Sequence, residues 1–223
     1  MDDREAGKYW EGNAHAWTIL SRAGWDVYRD SFNTPAFLAW MPDVQGQTGL
    51  DIGCGEGHNT QLVAHRAARM YGVDIAPTFI RHARAAERGD GPAIGYAVAS
   101  ALRLPFPAAT FDFATAFMSL MDLPGPGIAL GEALRVLKPG GFLQFSILHP
   151  CFAPPHLRLL RAADGEAFAV VVGRYFEESE PRVEEWLFSA APPEAKAGLR
   201  PFQTVNFHHP ISVWFNAGCP PDR

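Results

Sequence analysis

The stretch Gly49 to Ala64, G-L-D-I-G-C-G-E-G-H-N-T-Q-L-V-A, constrains this chain more than any other part of it. Leu50 to Ile52 read as the end of a buried strand, Gly53, Gly55 and Gly57 as a tight turn, and Asn59 onward as the start of a helix. Glycines at such a place let the backbone take positive φ and let a ligand come close to the main chain. The free amides of the helix that follows face the same space. The spacing then separates ligands. A dinucleotide fingerprint reads G-x-G-x-x-G, whereas these glycines alternate and Asp51 precedes them by two residues. An acid in the turn repels a pyrophosphate and suits a cationic amino acid.

This D-x-G-x-G-x-G pattern at a strand end resembles the first motif of the class I S-adenosylmethionine-dependent methyltransferases, in their type 11-like, small-molecule branch. The resemblance implies that the turn wraps the methionine part of S-adenosyl-L-methionine and that a second acid, at the end of the next strand, holds the ribose hydroxyls. R-M-Y-G-V-D supplies that acid as Asp74. The segment A-S-A-L-R-L-P-F-P is similar to the one in which the family places an acid against the adenine amino group. Ala99-Ser100-Ala101 stands there in this chain, so Ser100 is expected to accept that hydrogen bond without a charge. R-V-L-K-P-G-G-F-L-Q-F-S-I-L-H-P completes the likeness, which covers about residues 45–150 with its four motifs in family order. Carried onto this sequence, the cofactor contacts fall on Asp51, Gly53, Cys54, Gly55 and Asn59. They continue at Asp74, Ile75, Ser100, Ala101 and Met118, with Trp17 reaching over from the leading helices.

Strand-like and helical runs alternate through this region, and Phe142 to Leu148 is a continuous apolar strand of the kind a buried parallel sheet requires. Four βα repeats and a fifth strand predict an α/β fold: a Rossmann-like, doubly wound, mostly parallel sheet. Residues 1–44 are expected to form an N-terminal helical cover, 45–150 the cofactor-binding core, 151–209 a β-rich cap inserted after strand 5, and 210–223 a shortened C-terminal segment. The aromatic residues of the cover either pack the helices onto the sheet or, as for Tyr9, Trp10 and Trp17, lie near the cofactor's sulfonium. Ser31 to Pro35 predicts a helix break capped by Asn33 or Thr34, and Leu130, Leu134 and Leu137 predict the buried face of the helix before strand 5. Family cores of this type continue into strands 6 and 7, in sheet order 3-2-1-4-5-7-6. Pro210 to Arg223 cannot supply them, which predicts a bare strand-5 edge covered by the inserted segment or by a second copy in a homodimer, or else a truncated reading frame.

With 223 residues, 48% apolar and 19% charged, the chain is globular and large enough for one domain with an inserted cap. A net charge of −5 with no Lys/Arg block argues against nucleic acid and for a small-molecule substrate. Neither a secretory leader nor a membrane-spanning run is present, which predicts a cytoplasmic protein without a membrane partner. Cys54, Cys151 and Cys219 are too few and too scattered for a disulfide framework or a metal site, and His149, Cys151 and His156 match no zinc signature. His149, at the carboxyl end of strand 5, is the candidate general base, with Tyr28 and His208 behind it; a capped structural histidine is the alternative. Asp122 is the one acid on the expected substrate side. Methyl transfer by in-line displacement needs chiefly alignment and desolvation, so the function expected is transfer to a small molecule. The alternatives are a cofactor-binding protein without transferase activity and a nicotinamide oxidoreductase, the latter disfavoured by the glycine spacing.

Overall fold

The sheet has the order β3-β2-β1-β4-β5, every neighbouring pair parallel, in a computed structural model that describes residues 1–67, 69–87 and 91–216. Its strands are β1 (Thr48–Ile52), β2 (Arg69–Asp74), β3 (Ile94–Val98), β4 (Phe111–Phe117) and β5 (Leu137–Ser146). The doubly wound fold is as expected, and the strand order reverses between β1 and β4, which places a ligand crevice at their carboxyl ends. Leu50, Ile52, Phe111, Phe113, Ala114 and Ala116 are fully buried, because a parallel sheet is covered on both faces.

Before the sheet, α1 (Asp3–Arg22) opens with a reciprocal cap: Glu5 N donates to Asp2 Oδ1 at 2.8 Å and Asp2 N to Glu5 Oε2 at 3.0 Å. A π-turn (Arg29–Asn33) runs straight into α2 (Thr34–Trp40). The break expected at Ser31–Pro35 is therefore absent. Asn33 is itself helical, and the Thr34 hydroxyl donates to Asn59 Oδ1 at 2.8 Å instead of capping its own helix. The helices α3 (His58–Ala64), α4 (Pro77–Ala86) and α5 (Pro126–Val136) connect the strands. On α5 the buried face is Ala129, Leu130, Ala133 and Val136, while Leu134 is exposed. The 3.6-residue period places these small residues against the sheet and turns Leu134 away from it. Leu137 and Phe142 pair with Phe111 and Phe113, so Lys138 to Gly141 bulge out of β5 instead of preceding it.

Beyond a 3₁₀ turn (Pro150–Phe152), β6 (His156–Arg161) and β7 (Ala167–Gly173) form one antiparallel hairpin. A second antiparallel pair is β8 (Arg182–Trp186) and β9 (Phe202–Asn206), with the short α6 (Pro193–Lys196) between them and α7 (Ile211–Asn216) after. Two such pairs make the β-rich segment expected at 151–209. Neither pairs with β5, whose outer edge has no strand partner among the described residues. The inserted segment does not cover that edge by strand pairing: its strands satisfy each other's backbone groups. What lies on β5 is a face contact, Trp214 of α7 over Phe145 with ring centroids 5.9 Å apart. The segment from Ala217 on, with Cys219, lies outside the described residues.

The β8–β9 pair is seated on α1. The Asn13 amide donates to Gln203 O at 2.8 Å and accepts from Gln203 N at 2.9 Å, the pattern of a strand neighbour supplied by a side chain. Trp17 fills the seam, its ring 4.8 Å from that of Phe202 and 4.9 Å from that of Phe188. This roof closes one side of a cavity over the carboxyl ends of β1 and β4.

Candidate active site

At the end of β1 the chain turns at Gly53 with φ +74°, and a Cβ there would lie 2.4 Å from Ser119 Cβ. The Ser119 hydroxyl donates to Ile52 O at 2.7 Å, tying the turn to the end of β4. Asp74 ties it to β2: Gly55 N donates to Oδ2 and Ala76 N to Oδ1, both at 2.9 Å. Asp51, buried beneath the turn, accepts from the hydroxyls of Thr60 at 2.5 Å and Thr115 at 3.0 Å. Burial pushes both carboxyls up to about 6, against the hydrogen bonds that pull them down; the charge of Asp74 adds to the effect on Asp51, and that of Glu11 to the effect on Asp74. Two strongly perturbed acids beside a glycine turn mark a ligand wall.

That wall belongs to a cavity of about 930 Å³. Asp51, Gly53, Cys54, Gly55 and Asn59 line it from the turn, and Asp74 and Ile75 from the end of β2. Ala101 and Met118 line it from the neighbouring strand ends, and Trp17 from α1. A Cβ on Gly55 would meet nothing within 4 Å, so the turn backbone there opens onto the cavity. Met118 holds φ +49°, unusual outside glycine, with its amide donating to Ser146 O at 3.1 Å.

Ser100 is the predicted cofactor residue that the structure sets back from this wall: Ala99 and Ala101 line the cavity and Ser100 does not. Its hydroxyl donates to Asp3 Oδ2 at 2.5 Å and accepts from Leu102 N at 3.1 Å. Asp3, from the first turn of α1, is on the wall. An acid therefore stands at this corner after all, brought by a helix ninety-odd residues away in sequence, and no local pattern announces it.

Glu56, inside the glycine turn, was not singled out from the sequence. It is buried and accepts from Arg22 Nε at 2.9 Å and Arg29 Nη1 at 3.2 Å, so it binds the end of α1 and the π-turn to the glycine turn. Glu11 likewise holds the start of α4, accepting from Thr78 N at 2.8 Å. A charged residue among glycines and apolar neighbours was the available signal for Glu56. The N-terminal cover is fastened to the turn by ion pairs as well as by its aromatic rings.

The far part of the cavity is built differently. Met121, Asp122, Leu148, Phe152 and Trp214 contribute to it, together with three histidines. His149 is exposed at its rim, and its Nδ1 accepts from Cys151 N at 3.2 Å, capping the 3₁₀ turn. His208 places Nδ1 3.2 Å from Ala153 O and Nε2 2.7 Å from Tyr175 O, joining the start of the inserted segment to the end of β7. His209 Nε2 is buried without a hydrogen-bond partner. Asp122 lines the cavity, half-buried, and desolvation alone pushes its carboxyl up to about 8. Tyr28, at the mouth, is largely exposed.

Residues 50–145 match the family described as methyltransferase domain. The chain is 33% identical over 161 residues to a trans-aconitate 2-methyltransferase of an Azoarcus species, covering 71% of this chain and 61% of that protein. It is 31% identical over 156 residues to a ubiquinone biosynthesis O-methyltransferase of Paracidovorax citrulli, covering 67% and 63%. The chain thus spans about three fifths of the length of these curated relatives. An S-adenosylmethionine-dependent methyltransferase of Mesorhizobium loti superposes with a TM-score of 0.66 at 26% identity over 84% of this chain and 80% of that one. No helix among the described residues is long and apolar enough to cross a membrane. With the sheet order, the glycine turn between two buried acids and these likenesses in hand, residues 50–145 are a methyltransferase domain on the fold of the class I S-adenosylmethionine-dependent enzymes.

Proposed function

We propose that this chain transfers the methyl group of S-adenosylmethionine to an oxygen of an uncharged, largely apolar small molecule. The observation that carries the reading is a single cavity joining two unlike walls: a hydrogen-bonded acidic turn and an apolar region bearing Asp122 and histidines. The first wall fits the donor. The open face of Gly55 admits it to the backbone, Asp51 suits its ammonium group, and Asp74 suits a pair of hydroxyls. A cation beside Asp51 would return its carboxyl toward the ionised form. About 930 Å³ holds a cofactor together with a small acceptor.

When bound, the donor supplies a methyl group already activated by a sulfonium sulfur. The chain's own contribution is alignment and the exclusion of water, through the roof of β8 and β9 and the fastening of α1. The acceptor class follows from charge. Among the described residues lining the cavity, Arg29 is the one Lys or Arg, and it is engaged by Glu56, Asp30 and Ser21 O. A carboxylate acceptor, as in the name of the Azoarcus relative, would meet acids and no free cation. A neutral hydroxyl, in line with the O-methyltransferase name of the Paracidovorax relative, meets no such penalty.

Calorimetry with S-adenosylhomocysteine, followed by labelled methyl transfer to phenols, amines and carboxylates, tests the reading. Micromolar-range binding (roughly −8 kcal/mol) and a preference for phenols are expected. No binding, or a preference for carboxylates, overturns it. Binding without transfer to any class supports a cofactor-binding protein instead.

A further inference from the structure

We infer that the acceptor is an amphiphile: its hydroxyl enters the cavity while an uncharged hydrocarbon tail leaves over an apolar rim formed by Tyr28, Phe32, Leu148 and Phe152. The inference rests on the methyl-transfer reading above and names the class of substrate within it.

The rim is where the cavity lining meets solvent. Among the described lining residues, five exposed side chains are large and apolar: Tyr28, Phe32, Leu148, Phe152 and Trp186. The other exposed ones are His149 and Glu184. Single exposed apolar residues are ordinary on a protein surface, but a group of them around one opening marks a binding face. Tyr28 is 71% exposed, Phe32 69% and Phe152 59%, so much of their ring surface stays in water until a ligand covers it. Covering it is favourable in proportion to the apolar area removed from water.

These side chains are exposed on segments that the fold holds firmly. Arg29, between Tyr28 and Phe32, donates to Asp30, Glu56 and Ser21 O, which ties the π-turn to α1 and to the glycine turn. Four residues apart, Tyr28 and Phe32 share a side of that turn. The turn continues into α2, where the Phe37 ring lies against that of Phe117 at the end of β4, with centroids 3.8 Å apart. Phe37 O also accepts from Gln144 Nε2 of β5 at 2.7 Å. Leu148 and Phe152 follow the carboxyl end of the same β5, and His149 caps the 3₁₀ turn that carries Phe152. Both pairs are therefore held at one end of β4 and β5, on the lining of one cavity.

The chemistry of the tail follows from the rim. Its exposed residues include no Lys or Arg to receive an acid, and Glu184 repels one, so the tail is a hydrocarbon without a terminal carboxylate. The rim meets the tail equally before and during transfer, so the tail acts on KM and leaves kcat alone.

The test is calorimetry of para-alkylphenols, from methyl to nonyl and each below its solubility limit, on the full chain saturated with S-adenosylhomocysteine. Wild-type affinity should rise about two- to fourfold per methylene, the gain for half to full burial of a CH₂. In transfer from S-adenosylmethionine the same series should lower KM with kcat nearly unchanged. Phe32→Ser and Phe152→Ser should each reduce the gain per methylene, and the double variant should bring it below about 1.5-fold. Phe176→Ser replaces an aromatic that is 84% exposed and off the lining, and should keep the wild-type gain. S-adenosylhomocysteine binding reports that each variant is folded. A flat wild-type series, no alkylphenol uptake, or a gain that survives both rim substitutions overturns the tail. A gain that appears only with phosphatidylcholine vesicles present makes the rim a lipid-docking face and overturns it as well. Failure of the wild-type chain to bind S-adenosylhomocysteine overturns the cofactor reading beneath it, and is a separate result. The wild-type series decides even where a variant does not fold.

Discussion

The two walls of the cavity treat their polar groups in opposite ways. On the turn side, Asp51 and Asp74 are buried, yet each oxygen already accepts a hydrogen bond from the fold: Thr60, Thr115, Gly55 N and Ala76 N. On the far side, half-buried Asp122 has its carboxyl raised by desolvation with no hydrogen bond or charge to offset it, and His209 Nε2 has no partner. The fold already satisfies the acids of the first wall; it does not satisfy these two groups of the second. A preformed donor site costs little reorganisation on binding, whereas unpaired groups discriminate strongly between acceptors that satisfy them and acceptors that do not.

The largest effect that bears on this contrast is expected at Asp74. Asp74→Ala leaves Gly55 N and Ala76 N without their carboxylate, and each charge-assisted bond contributes about 1.5–3 kcal/mol. S-adenosylhomocysteine affinity should fall by roughly 100-fold or more, with a clear drop in melting temperature. A variant that binds within about tenfold of wild type would show that the turn is held without Asp74, and the first wall would lose its distinction.

How much of this was legible beforehand divides along the same line. The turn wall is written locally: glycines, Asp51 and Asp74 occupy strand ends that short apolar runs announce. The far wall is assembled by tertiary contact. β9 packs on the 3₁₀ turn after β4, and two histidines in tandem carry no sign that His208 is held by two carbonyls while His209 Nε2 has no partner. Leu134 and Asn33 were misplaced for a related reason. The neighbours that decide their burial and capping, the sheet beside α5 and Asn59 beside Thr34, are distant in sequence.

A middle-sized effect, of opposite sign, is expected at Asp122. Its folded carboxyl titrates near 8 against an ordinary value of 3.8, so unfolding releases a proton throughout the interval between them. The group's contribution to stability is therefore fully present below about pH 4 and declines as pH rises toward 8. Asp122→Asn, which does not titrate, should match the wild type in acid and exceed it increasingly up to pH 8, by at least roughly 2–4 °C in melting temperature. Thermal melts across that range check this. A constant difference at every pH would mean that the carboxyl is compensated, and the two walls would then be alike.

The smallest effect probes where the first wall ends. Ser100 donates to Asp3 and accepts from Leu102 N, and it does not line the cavity. If its role is to orient Asp3, Ser100→Ala removes two part-buried hydrogen bonds, each contributing at least about 0.5–1.5 kcal/mol to stability. S-adenosylhomocysteine affinity should then change less than about threefold, since Asp3 keeps its charge and its place on α1. Asp3→Ala should weaken binding more than Ser100→Ala does, because Asp3 is the acid that faces the cavity. Calorimetry on the two variants separates the roles. A loss of more than about tenfold at Ser100 with little at Asp3 would place the serine against the ligand and extend the completed wall to the end of β3.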